Sequence, residues 1–221
     1  MISNAERKKQ RMQSADFDKL SLRKYNLIIG LVVLYGFVVN ALMVWQLSDF
    51  FIKMNPTALL IGYFVLIIIG SIMAYSKSAL LSFIGYNLIV VPVGSLVAIA
   101  VPGYSIGSII SAIVATAGVV AVMILLSTIY PRLFSKLGTA LFISLLLGII
   151  TNSIALLFGY AGDIFHWLFV IIFSLYIGYD WFRAQSYPRT LDNAVDSAID
   201  LYLDAINIFI NLLAIFGKSD D

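Results

Sequence analysis

The residues of this chain best suited to chemistry are carboxylates. In 192-DNAVDSAIDLYLDAIN-207, Asp192, Asp196, Asp200 and Asp204 recur every four residues and lead into an apolar segment. Another acid, Asp180, lies upstream in the dipeptide Tyr179-Asp180. Carboxylates brought together out of water can share a proton near neutral pH. With that proton they make a hydrogen-bonded clasp. Without it they repel and offer an oxygen-rich, negative site to a hard cation such as Ca²⁺. The residues alone therefore admit a proton-sensitive gate in a cation pathway and, equally, an interhelical hydrogen bond without transport.

Other reagents are scarce. The chain has no cysteine and one histidine, His166, so disulfides, thiolate metal sites and a histidine cluster are all excluded. Aspartyl proteolysis within a membrane also uses two Asp on neighbouring helices. That chemistry expects a Gly-rich segment at the second Asp, and 201-LYLDAIN-207 has none. The expectation is a protein that is not an enzyme and holds no resident cofactor.

The elements that must carry the acids follow from composition. Of 221 residues, 61% are hydrophobic and 12% charged, against about 45–50% and about 25% in soluble domains. The mean hydropathy is +0.98. This is an all-α, polytopic membrane helix bundle. A span needs about 20 apolar residues, and seven segments qualify: Asn26–Leu47, Thr57–Tyr75, Ala79–Ala100, Ile106–Tyr130, Gly138–Tyr160, Ile164–Phe182 and Ala194–Phe216. Turn-forming or charged residues separate them, among them Asn55-Pro56, Pro102-Gly103 and Pro131-Arg132. Residues 1–24 read as a basic cytoplasmic arm, 25–217 as the membrane domain and 218–221 as a short tail. In the fourth span, Gly107, Ser111, Ala115 and Gly118 suggest a close-packing face.

Charge orients the spans. Of the 14 Lys and Arg, Arg7, Lys8, Lys9, Arg11, Lys19, Arg23 and Lys24 precede the first span. With that end cytoplasmic, Lys77, Arg132, Lys136, Arg183 and Arg189 share its side, and only Lys53 and Lys218 do not. The positive-inside rule thus places the N-terminus in the cytoplasm. The basic arm is expected to set topology or touch anionic lipid, with no nucleic-acid partner.

The first five spans carry no Asp, Glu, Lys or Arg in their apolar interiors, so intramembrane charge is concentrated in the last two. Such groups mark pathways or relays by default. Counting from Ala194 at 1.5 Å per residue, Asp196 is ~3 Å deep, Asp200 ~9 Å and Asp204 ~15 Å. Asp192 and Asp196 then read as acids of the helix entrance, and Asp204 as the anomaly. Asn207 and Asn211 continue the same polar face, making Asp196, Asp200, Asn207 and Asn211 a possible ion path. Hairpin arithmetic centred on Arg189 levels Asp180 with residue 198, between Asp196 and Asp200, and leaves its partner open.

Seven spans, Tyr179-Asp180 and the run 199-IDLYLDAINIFINLLAIFG-217 resemble the Bax inhibitor-1, or transmembrane Bax inhibitor motif, family. The resemblance implies a seven-helix bundle with the last helix central, and a pH-sensitive Ca²⁺ leak across the endoplasmic reticulum or a bacterial cell membrane. It implies that Asp180 and Asp204 are the pH-sensing pair and transient Ca²⁺ ligands, with Asp200 at a position that is acidic or amide among relatives. Phe182-Arg183 departs from the more polar continuation usual after Tyr-Asp. The short tail lacks a lysine-rich run of the kind seen in animal members, which points to a bacterial type, in the cell membrane. The expected function is a calcium leak with Ca²⁺, protons and lipid as partners. The alternative is a regulator that transports nothing and binds other membrane proteins.

Overall fold

The computed structural model describes residues 19–74, 76–160 and 162–217. Most of the basic arm, residues 1–18, and the tail, 218–221, lie outside the described residues. Seven helices are long and apolar enough to cross a membrane: α1 (Leu22–Lys53), α2 (Pro56–Ala74), α3 (Ala79–Ala100), α4 (Ile106–Ile129), α5 (Gly138–Leu157), α6 (Asp163–Ser186) and α7 (Leu191–Phe216). Among the described residues there is no strand. Single helical turns at Val101–Gly103 and Pro131–Phe134 complete the order.

The helix ends have local causes. Ser21 and Ser105 cap α1 and α4 by accepting the backbone N–H of Lys24 and of Ser108. The Asn55 side-chain oxygen accepts from Thr57 and Ala58 at 2.9 and 3.2 Å, with Pro56 opening α2 where no N–H is needed. Thr190 starts α7 by accepting from Asn193 N–H at 3.2 Å. The α7 helix thus begins at Leu191, a turn earlier than its apolar run suggests, because a cap and not hydropathy decides where it starts.

Two spans are enclosed by protein. Of their apolar stretches, 61% in α3 and 56% in α7 are buried, against at most 28% in any other span. These two can tolerate polar groups that lipid would leave unsatisfied.

The chain forms two compact units, with α7 contributing to both. The first holds α1, α2, α3 and the segment Ala184–Tyr202. Here α3 packs on α1 and α2, and a Cβ on Gly85 would collide with the Ala74 backbone of α2. The buried Tyr25 hydroxyl donates to the Ala184 carbonyl at 3.0 Å, tying α1 to the end of α6. Asn40 donates to the Tyr202 hydroxyl at 2.6 Å. The Tyr202 ring meets Tyr86 edge-on at 5.4 Å.

The second unit holds α4, α5, α6 through Arg183, and α7 from Leu203. Its α4 buries Ala112, Thr116 and Ser127. Gly107, Ser111 and Gly118 are exposed, so the expected close-packing stripe is displaced by one residue, onto a set that keeps small side chains at helical spacing.

Candidate functional site

In the second unit, Asp180 lies on α6 about 9 Å before the helix end, at a point where α6 is held firmly. Ser127 of α4 donates to the Gly178 carbonyl at 2.6 Å. Trp181 donates its indole N–H to Thr128 Oγ1 at 3.1 Å. The Phe134 ring occupies the space that any side chain at residue 178 would need. These contacts flank Asp180 on both sides and fix its rotation about the α6 axis.

Asp180 is 7% exposed. Arg183 Nη1 donates to its Oδ1 at 2.7 Å, an ion pair spanning one turn of the same helix. The guanidinium also lies 5.4 Å from the centroid of the Tyr179 ring, in cation–π range. About a quarter of the Arg183 side chain remains exposed (27%), so its charge is compensated from one side and hydrated from the other.

Asp204 is 6% exposed and sits near the middle of the 26-residue α7, ~20 Å along the helix from Leu191. The hydroxyl of Tyr176, one turn from Asp180 on α6, lies close enough to Asp180, Asp204 and Arg183 to sense the charge of all three. Two carboxylates and one guanidinium carry a net charge of about −1 when fully ionised and about zero with one proton bound, the kind of difference a low-dielectric site magnifies.

A divalent ion of the Ca²⁺ class takes six to eight oxygen ligands. Two carboxylates provide at most four oxygens, and among the described residues no three His, Cys, Asp or Glu side chains come together.

The other acids of α7 fall in the first unit. Asp192 accepts from Ser82 at 3.2 Å, and Asp196 is 2% exposed, more enclosed than Asp200. Burial along α7 therefore does not follow depth, because protein covers the helix entrance. The cap itself is Thr190. In the second unit, Asn207 donates to the Leu203 carbonyl at 2.7 Å and Asn211 to the Asn207 carbonyl at 2.8 Å. The Asn211 oxygen faces His166 Nδ1 at 2.9 Å.

Three residues escape the reading by composition. Arg183 counts there only as a topology charge, although its three-residue offset from Asp180 is a pairing signal. Tyr176 sits one turn from the acid, and His166 has an amide partner 45 residues away.

A model of the family described as "Inhibitor of apoptosis-promoting Bax1" matches residues 19–221. The chain belongs to the Bax inhibitor-1 family. It is also similar to an uncharacterized protein of Helicobacter pylori, found in two strains, at 35% identity over 92 residues. That match covers 39% of this chain and spans only 38% of the relative's length. Within this Bax inhibitor-1 member, Arg183 forms an ion pair with Asp180 one turn away. Seven apolar helices and the family together make it an integral, multi-pass membrane protein.

Proposed function

We propose that this protein is a cation leak pathway, passing Ca²⁺ foremost, in which Asp180 and Asp204 share a proton as a gate and Arg183 is the resident counter-charge. One observation carries the reading: two carboxylates buried on successive helices both lie within charge range of Tyr176, with the Arg183 guanidinium at hand among the described residues. A bound proton brings the group to neutrality, so the acids hold their helices together and attract no cation. Loss of that proton leaves about one net negative charge, which both opens the clasp and draws a cation in. Flux then rises with pH. No covalent step is involved, so the chain works without enzymatic turnover or cofactor. Its ligands are protons and the cation, and its setting is a bacterial cell membrane.

The test is Ca²⁺ entry into liposomes carrying the purified protein. Flux that climbs from about pH 5 to about pH 8, and a climb flattened by Asp180→Asn and Asp204→Asn, are expected. No flux at any pH removes transport and leaves a regulatory, partner-binding role. Flux whose pH profile ignores both substitutions removes the gate alone.

A further inference from the structure

The first unit has a feature of its own at the end where α1, α3 and α7 begin, the cytoplasmic face by the charge distribution. Just ahead of α1, the Leu20 N–H donates to the Arg189 carbonyl at 2.7 Å. One turn on, Tyr25 donates to the Ala184 carbonyl at 3.0 Å, and Asn26 accepts from the Gln185 side chain at 3.0 Å. The start of α1 therefore clamps the connection that joins α6 to α7. That connection is stiff in itself. Pro188 fixes one of its backbone angles, and the Pro188 carbonyl accepts from the Thr190 N–H at 2.9 Å and the Asn193 amide at 2.8 Å.

Charge and apolar surface meet around this clamp. Lys19, Arg23, Lys24, Lys77 and Arg189 are exposed, and no ion pair among the described residues engages them. The acids of this end, Asp192 and Asp196, are buried. Its exposed charge among the described residues is thus wholly positive, the condition that draws an anionic headgroup. The bond from Leu20 to Arg189 brings the Cα atoms of Lys19 and Arg189 within about 8 Å of each other, so both long side chains can reach one phosphate. The backbone there is already fixed, and only the two side chains need ordering. Hydrocarbon has a place beside them. Leu22 and Leu191, which follow Lys19 and Arg189 in the chain, are about half exposed, and α1 continues with exposed Leu27, Leu31 and Leu34. A free phosphate or an acidic soluble peptide would use the cations and leave that apolar track uncovered. A phospholipid covers both.

We propose that this end of the first unit binds an anionic phospholipid, its phosphate held between Lys19 and Arg189 and its acyl chains on Leu22, Leu27 and Leu191, and that the bound lipid tightens the clamp. The proposal is independent of the cation reading above. The full chain is placed in nanodiscs of phosphatidylcholine with and without phosphatidylglycerol, and hydrogen exchange is followed on peptides containing Leu20 and Asn193. Phosphatidylglycerol is expected to slow exchange at both by about fivefold, the effect of about one cation at an anionic surface. Arg189→Gln should abolish the slowing and Arg189→Lys should keep most of it. Arg23→Gln and Lys77→Gln should keep most of it too, and Lys53→Gln, at the opposite end of α1, all of it. Each protein is compared with itself in the two lipids, so a variant that loosens the clamp unaided does not mimic the result. Exchange that ignores phosphatidylglycerol in wild type overturns the proposal. Equal losses in Arg23→Gln, Lys77→Gln and Arg189→Gln also overturn it, because they describe a diffuse charged surface and no site. Soluble glycerol phosphate that slows exchange as strongly in phosphatidylcholine alone overturns the lipid assignment in favour of a free anion.

Discussion

Arg183 donates to Asp180 at 2.7 Å across one turn of α6, so the acid of the sixth span carries its own counter-charge on its own helix. Two helices that each bring a bare carboxylate can meet only by sharing a proton. A carboxylate already paired with a guanidinium can remain ionised while a second one approaches. The balance between clasp and repulsion then involves Arg183 as well as the two acids.

Arg183→Gln is therefore expected to move the flux–pH curve toward alkaline pH. Without the positive charge, both acids are harder to ionise together. A displacement of about one unit corresponds to ~1.4 kcal/mol, reasonable for a guanidinium that is partly hydrated. Arg183→Lys should recover most of the position because it keeps the charge. A curve that stays in place in Arg183→Gln while Asp180→Asn moves it would show that the pair does not act through Arg183.

Tyr176→Phe tests the geometry in a different way. The ring keeps its packing, and only the hydroxyl near Asp180 and Asp204 is lost. Thermal unfolding in detergent should change little, by about 1 kcal/mol or less, while the steepness or midpoint of the pH profile changes. An unchanged profile would remove Tyr176 from the gate.

Much of this was legible in the sequence because a membrane simplifies the physics. Apolar length decides span count, and the seven expected segments match seven helices with boundaries moved by a few residues. The largest shifts, at Lys53, Leu22 and Ser186, occur where a cap or a polar helical end extends the helix beyond its apolar run. Asp204 is enclosed, but depth arithmetic does not order burial along α7: Asp196 is more enclosed still, because neighbouring protein and not lipid covers the entrance of the helix. On α4 the small residues Gly107, Ser111 and Gly118 mark a face one residue away from the one that is buried, where Ala112 and Thr116 lie. Arg183 was overlooked because an arginine near a span end has a ready explanation in topology. The His166–Asn211 contact, joining residues far apart in the chain, leaves no local spacing to find.

The close fit between Gly178 and Phe134 gives a steric prediction. A methyl group at residue 178 would overlap the phenyl ring, and overpacking of this kind costs about 1–3 kcal/mol. Gly178→Ala should lower the unfolding temperature and disturb the pH response together, since the same turn of α6 carries Asp180. Phe134→Ala should relieve the overlap, making the double variant more stable than the two single losses added. Simple additivity would show that α6 moves away from Phe134 without cost.

In the first unit, Asn40 and Tyr202 offer a test of buried polar pairing that leaves the acids untouched. Asn40 donates to the Tyr202 hydroxyl at 2.6 Å, with both side chains buried and the Tyr86 ring edge-on to Tyr202. Tyr202→Phe removes the acceptor and strands a buried amide, at a cost of about 1–3 kcal/mol. Asn40→Leu removes the amide and leaves the hydroxyl without that donor, a loss of similar size. In the double variant no stranded partner remains, so its loss should fall short of the sum by about 1 kcal/mol or more. Unfolding of the four proteins in one detergent measures the difference. If the losses add, the short contact contributes nothing beyond packing, and the enclosure of α3 and α7 must rest on their apolar surfaces alone.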